Sequence, residues 1–111
     1  VNRLLLSARI VERQALRYTP AGLPALDVVL EHVSELVQEG QPRKVRLEMK
    51  ARAIGGAVRP VSALAIGDEA DFAGFLGSQR NGRGIVFHIV ELQPRIRSDG
   101  DDAGGSPNPQ R

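Results

Sequence analysis

The chain has no cysteine and no tryptophan, and among its 111 residues are one tyrosine, one methionine and two histidines. Without cysteine there is no disulfide framework, no thiolate nucleophile and no Cys-based zinc site. That absence fits a reducing cytoplasm. His32 and His88 lie among apolar neighbours with no second ligand at metal spacing, so both read as structural. Aromatic residues are only 4% of the chain, which disfavours an RNA-binding barrel with an aromatic-rich strand. No apolar run approaches the roughly 20 residues of a spanning helix, and the N-terminus lacks the apolar stretch of a signal peptide. Gly55-Gly56 and Gly82-Arg83-Gly84 lack the spacing of a phosphate-binding loop. Asp27, Glu31, Asp68 and Asp71 show no pairing suited to acid–base chemistry. The expectation is a non-enzymatic protein with no cofactor and no metal.

What is present is arginine. Only Lys44 and Lys50 of the 15 basic residues are lysines. Arginine presents a flat, multi-donor head that suits phosphate and stacks on bases. Arginine-rich codon usage in a GC-rich bacterial genome would produce the same bias. The net charge of +2 understates the folded part, because Asp99, Asp101 and Asp102 all fall in the C-terminal tail. A content of 41% hydrophobic and 25% charged residues marks a globular chain, and the length fits one small domain.

Residues 2–13 alternate Leu4, Leu6, Ala8 and Ile10 with Arg3, Ser7 and Arg9. This is a strand, with Leu5 and Val11 predicting partial burial of its second face. Two prolines and a glycine make 18–24 a turn. Residues 26–33 are rich in valine and read as the second strand, in preference to a helix over 27–38. The stretch 38–43 holds Gly40 and Pro42 and reads as a polar loop. Residues 44–54 then alternate cleanly, with Val45, Leu47, Met49, Ala51 and Ala53 on one face. Lys44, Arg46, Glu48, Lys50 and Arg52 form the other, a half-exposed strand bearing four cations and one acid. Any helix within 58–66 is short because of Pro60. Residues 65–76 and 85–90 form a hairpin, with Phe72, Phe75 and Phe87 in the core. Asn81-Gly82 supplies the positive φ angles of a two-residue turn, flanked by Arg80 and Arg83. Gly74, inside a strand, marks a bulge or sharp bend. Residues 98–111 have almost nothing apolar and are expected to be a disordered tail on a domain of residues 1–97. Five strands with one short insertion predict a small all-β Greek-key barrel, of OB or SH3-like type.

Several motifs share an order and spacing: Asn2-Arg3-Leu4-Leu5-Leu6-Ser7, Thr19-Pro20-Ala21-Gly22-Leu23-Pro24, Val28-Val29-Leu30-Glu31-His32, and Gly67 seven residues before Gly74-Phe75-Leu76, then Asn81-Gly82. On these the chain resembles the primosomal replication protein N family, bacterial relatives of the single-stranded-DNA-binding proteins. The resemblance covers about residues 2–94. It implies a five-stranded OB-fold, a homodimer, and binding of single-stranded DNA without sequence preference. It implies a role in replication restart beside a restart helicase and helicase-loading proteins, in the cytoplasm and at the nucleoid. The short tail ending Asn108-Pro109-Gln110-Arg111 fits this family better than the acidic, aromatic-tipped tail of its relatives. One departure stands out: where the family can present a tryptophan on strand three, this chain has Arg46, and Gln41-Pro42-Arg43 replaces an aromatic in the preceding loop.

Candidate DNA-binding residues follow from this. Lys44, Arg46, Lys50 and Arg52 occupy the exposed face of strand three, with Arg43 just ahead of it. Arg80 and Arg83 flank the hairpin turn. Arg17 and Tyr18 lie in the first loop, Tyr18 as a stacking surface or a loop anchor. With no tryptophan, binding is expected to rest more on charge than on stacking. The alternative is a protein-interaction adaptor that docks on helicase machinery and binds DNA incidentally.

Overall fold

The computed structural model describes residues 1–80 and 82–95. Asn81, the boundary at 97/98 and the whole predicted tail lie outside the described residues. Strand β1 (Leu4–Arg13) is followed by a two-residue strand, β2 (Arg17–Tyr18), then β3 (Pro24–Gln38) and β4 (Gln41–Ile54). A 3-10 turn (Gly55–Ala57) leads into a short helix, α1 (Val58–Ser62), and the chain ends in β5 (Glu69–Ser78) and β6 (Ile85–Pro94). The sheet runs β1-β5-β6-β4-β3-β2, and β1 also pairs with β3. That second pairing closes a five-stranded barrel, to which β2 is appended as a fringe. All pairings are antiparallel except β4 with β6, joined at Ala51–Phe87, Arg52–His88 and Ala53–Ile89. The small all-β barrel expected from the strand count is observed, and it is of the OB type that the resemblance implies.

Period-two alternation sends Ala8 and Ile10 of β1, Leu26, Val28 and Leu30 of β3, Ala51 and Ala53 of β4, Phe72 of β5, and Phe87 and Ile89 of β6 inward. Val58 and Val61 turn one side of α1 onto this cluster, and Leu64, just past the helix, packs there too. Arg13 ties the helix end to β1, its Nη1 donating to the Leu64 carbonyl at 2.6 Å. Pairing of β1 with β3 skips one residue between Ile10 and Glu12, which places the extra Val11 in a bulge. Leu5, expected to be partly buried, is exposed: β1 pairs with β3 only from Arg9 onward, so nothing covers it.

Three further expectations are corrected. The stretch 38–43 is mostly strand: β3 and β4 continue to Gln38 and from Gln41. Glu39 and Gly40 alone turn the chain, with φ of 53° and 74°, the two positive values a tight hairpin turn requires. Pro42 is tolerated because β4 meets β6 only at 51–53, so no second neighbour needs its missing N–H. Conversely, the hairpin after β5 is not closed by a two-residue turn. Six residues separate Ser78 from Ile85, bridged by hydrogen bonds from Gln79 N to Gly84 O and from Gly82 N to Gln79 O. Arg17 and Tyr18 lie in β2, paired with Ala25 and Pro24, rather than in a loop.

Gly74 does mark a bulge. The β5–β6 register slips between Ala73 and Gly74, leaving Val90 as the extra residue on β6. The glycine is needed because the His88 backbone occupies the space a side chain would fill.

Candidate nucleic-acid interface

Strand β4 alternates as its sequence predicts: Lys44, Arg46, Glu48 and Lys50 are exposed, while Ala51 and Ala53 are buried. Its charged face is not isolated. In the antiparallel register Asp27 lies opposite Arg52, Val29 opposite Lys50, Glu31 opposite Glu48, Val33 opposite Arg46, and Glu35 opposite Lys44. Directly opposed residues point to the same side of a sheet. The outer face therefore carries three acids from β3 that inspection of β4 alone does not reveal.

Two of them clamp arginines. Glu31, only 7% exposed, receives Arg9 Nε at 2.8 Å on one oxygen and Arg46 Nη2 at 2.8 Å on the other. Asp27 receives Arg17 Nε at 2.9 Å and Arg52 Nε at 2.7 Å. Arg17, Arg46 and Arg52 are thus partly neutralised where they stand. Among the described residues Lys44 and Lys50 have no ion pair, and they are the uncommitted cations of β4; Glu35 and Glu48 on the same face are likewise without an ion pair.

Both carboxylates are held below their ordinary range. Hydrogen bonds from Arg9 and then Arg46 lower Glu31 from its ordinary 4.5 against the opposing effect of burial. For Asp27, ordinarily 3.8, burial raises the value, and the hydrogen bonds and charges of Arg17 and Arg52 together outweigh it. A carboxyl whose pKa is depressed by folding stabilises the fold above its unfolded value and loses that contribution as pH falls through the lower folded one. The melting temperature is therefore expected to be level down to about pH 5 and to fall below the 4.5 and 3.8 of the unfolded groups. Thermal melts of the parent and of Asp27→Asn/Glu31→Gln across that range check this. The double variant should start lower and lose less.

A cleft of about 570 Å³ lies at one end of this face. Lys50 and Arg52 line it with Glu12, Asp27, Glu48 and Gln79. Gln79 opens the loop that bears Arg80 and Arg83, both exposed. Tyr18, 65% exposed on β2, presents an open ring next to Arg17. The structure thus brings Arg17, Lys44, Arg46, Lys50 and Arg52 to one face and borders its cleft with the basic loop. Arg43 is not brought there, because period two places it on the opposite side of β4 from Lys44.

Sequence reasoning missed two side chains. Arg9 joins the face through Glu31. Phe75, expected in the core, is 42% exposed and stacks on His88 with ring centroids 4.8 Å apart and planes 12° from parallel. The signal was present: Phe72 and Phe75 are an odd number of residues apart, and a strand cannot bury both on one face. His32 is structural, bridging strands. Its Nδ1 donates to the Ser7 carbonyl at 2.6 Å, leaving Nε2 to accept from the Ser34 hydroxyl at 2.8 Å. Among the described residues no cluster of three His, Cys, Asp or Glu is arranged to hold a metal ion.

A family model described as "Another single-strand binding protein family" matches residues 2–91. The chain is 45% identical over 103 residues to Replication restart protein PriB of Bordetella pertussis, covering 92% of this chain and 96% of that one. It is 38% identical to the PriB of Neisseria gonorrhoeae over 77% of its own length and 83% of the relative's. The solved structure of PriB from Ralstonia solanacearum superposes with a TM-score of 0.79 at 33% identity, over 86% of this chain and 99% of that one. The single-stranded DNA binding protein of Thermus aquaticus shares the fold at 23% identity, with a TM-score of 0.71 over 89% of this chain and 52% of that one.

Proposed function

This chain belongs to the single-strand binding protein family and, within it, to the PriB replication restart proteins, and from that premise we propose that it binds single-stranded DNA during replication restart. This is the same primosomal family that the sequence motifs resemble. The observation that carries the reading is the outer face of β3 and β4. Lys44 and Lys50 stand on it without an ion pair, Arg46 stays 72% exposed despite its contact with Glu31, and its cleft is bordered by the loop of Arg80 and Arg83. Such a face grips phosphates and reads no base edge, so binding is without sequence preference. The protein acts in the bacterial cytoplasm at the nucleoid, as a non-enzymatic accessory beside a restart helicase and helicase-loading proteins. Among the described residues no helix is long and apolar enough to cross a membrane. Titrating labelled oligo-dT, duplex DNA and RNA at two salt concentrations tests the reading. Oligo-dT is expected to bind best, and more weakly at the higher salt. Equal affinity for duplex would refute it.

A second reading has its own support. Residues 32–47 extend beyond the barrel as a two-stranded arm, since β3 meets β1 only at 28–31. Val33, Leu36 and Val37 are exposed on that arm. An apolar arm beside partly neutralised arginines suits an adaptor that docks on helicase machinery and binds DNA incidentally.

The same geometry supports a homodimer. Leu4–Ala8 of β1 pair with β5 on one edge only, and Leu5 is 73% exposed beside the other. An open edge with apolar flanks is a liability that pairing with a second copy removes. Sedimentation equilibrium at micromolar concentration is expected to give the dimer mass, and Leu5→Lys to shift it toward monomer. A parent sedimenting as a monomer would overturn the dimer.

A further inference from the structure

On the far side of the cationic face from β2, one row of side chains crosses three strands. Arg52 on β4 is the register partner of His88 on β6, and His88 is the register partner of Phe75 on β5. At about 4.8 Å per strand, the row spans roughly 10 Å. The rings of His88 and Phe75 lie nearly parallel, 4.8 Å apart. They line a shallow cavity of about 420 Å³ whose other walls include Arg52, Ile54 and Val90. Ile54, Phe75 and Val90 are 39%, 42% and 59% exposed. A single exposed apolar side chain needs no explanation, but a contiguous group of them around a cavity marks a surface that something covers.

We propose that this cavity is a nucleobase-stacking subsite, in which an unpaired base lies on the open surface of Phe75 while its phosphate is held toward Arg52. The inference rests on the single-strand reading above and deepens it. Three observations favour a base over an apolar peptide segment. The platform is a flat aromatic pair, the geometry on which every base can stack whatever its sequence. A guanidinium stands at its rim, on the same outer face as the other cations, so a strand gripped by Lys50 and Arg52 continues directly onto the rings. And the pair is uncharged: burial, and then the neighbouring Arg52, hold His88 below its ordinary 6.5, so the imidazole is a neutral flat ring at physiological pH. The chain has no tryptophan, and Phe72 and Phe87 are fully buried. Phe75 is therefore the phenylalanine with ring surface to offer, placed on β5 beside His88 of β6 rather than on β4.

The test uses the full chain with two probes of equal length, oligo-dT and an abasic deoxyribose-phosphate strand. Phe75→Leu keeps apolar bulk and removes the ring. It is expected to bind oligo-dT about tenfold more weakly, with an unchanged salt slope and an unchanged affinity for the abasic strand. Phe75→Trp places a single fluorophore in the cavity, and its emission should be quenched on saturation with oligo-dT but not with the abasic strand. The subsite is refuted if Phe75→Leu matches the parent on oligo-dT and the tryptophan is not quenched. It is equally refuted if Phe75→Leu loses affinity for both probes alike, since that reports a structural effect. Failure of the parent itself to bind oligo-dT would instead overturn the single-strand reading, and the subsite with it.

Discussion

Replacing Lys44, Lys50 and Arg80 together with alanine is expected to weaken oligo-dT binding about 100-fold at 0.1 M salt, with the deficit shrinking toward nothing near 1 M. Each phosphate contact on a single strand contributes about 0.7 to the slope of log affinity against log salt. Losing three contacts should flatten that slope by about 2, which over one decade of salt is about two decades of affinity. The two lysines are chosen because neither has an ion pair among the described residues, so their charge is free to meet phosphate without breaking an existing contact. Arg46 and Arg52 differ, because each must be drawn from a carboxylate that already holds it. Glu31→Gln should therefore act in the opposite direction. It releases Arg9 and Arg46, strengthens binding and steepens the slope by up to about 1.4. Fluorescence anisotropy across a salt series reads both variants. If the triple variant kept the parent's slope, the outer face would not be the binding surface, and the adaptor reading would take its place.

Gly74→Ala is expected to cost about 3 kcal/mol of stability or more, with little change in the chemistry of the surface. A Cβ at this position would sit 1.8 Å from the His88 carbonyl oxygen and 3.0 Å from the Phe87 ring. The obstacle is backbone at the bulge of β6, which cannot rotate aside as a flexible side chain can. For a domain of this size each 1 kcal/mol shifts the midpoint by about 4–8 °C, so the melting temperature should drop by at least about 12 °C. Gly77→Ala is the control. There the nearest atom is His88 Nε2 at 3.0 Å, the end of a side chain, and the loss should be much smaller. Thermal unfolding followed by circular dichroism measures both. A Gly74→Ala midpoint within a few degrees of the parent would show that the β5–β6 bulge relaxes freely.

Much of the barrel was legible because period-two alternation is a local property. The inward set of β1 and the charged face of β4 can be read from runs of ten residues, and the bulge at Gly74 from one glycine in an apolar strand. The hairpin turn was misplaced for an equally local reason. Asn81-Gly82 is the stronger turn signal, yet the tight turn falls at Glu39 and Gly40, where a non-glycine residue adopts positive φ. What fixes that turn is the strand pairing on both sides of it, fourteen residues of β3 matched one to one with β4.

The sequence by itself determined the alternation of each strand, the basic character of one face and the family to which the chain belongs, since each is carried by neighbouring residues or by motifs in order. Only the tertiary structure decided what that face can do. Asp27 and Glu31 meet Arg52 and Arg46 because an antiparallel register lays β3 beside β4, and Arg9 arrives from β1 because the barrel closes there. His88 meets Arg52 because β6 runs parallel to β4, a pairing with no local signature, and a one-residue bulge then sets which residue of β6 faces Phe75. Charges and rings act on their neighbours in space, and in a barrel most of those neighbours lie far away along the chain.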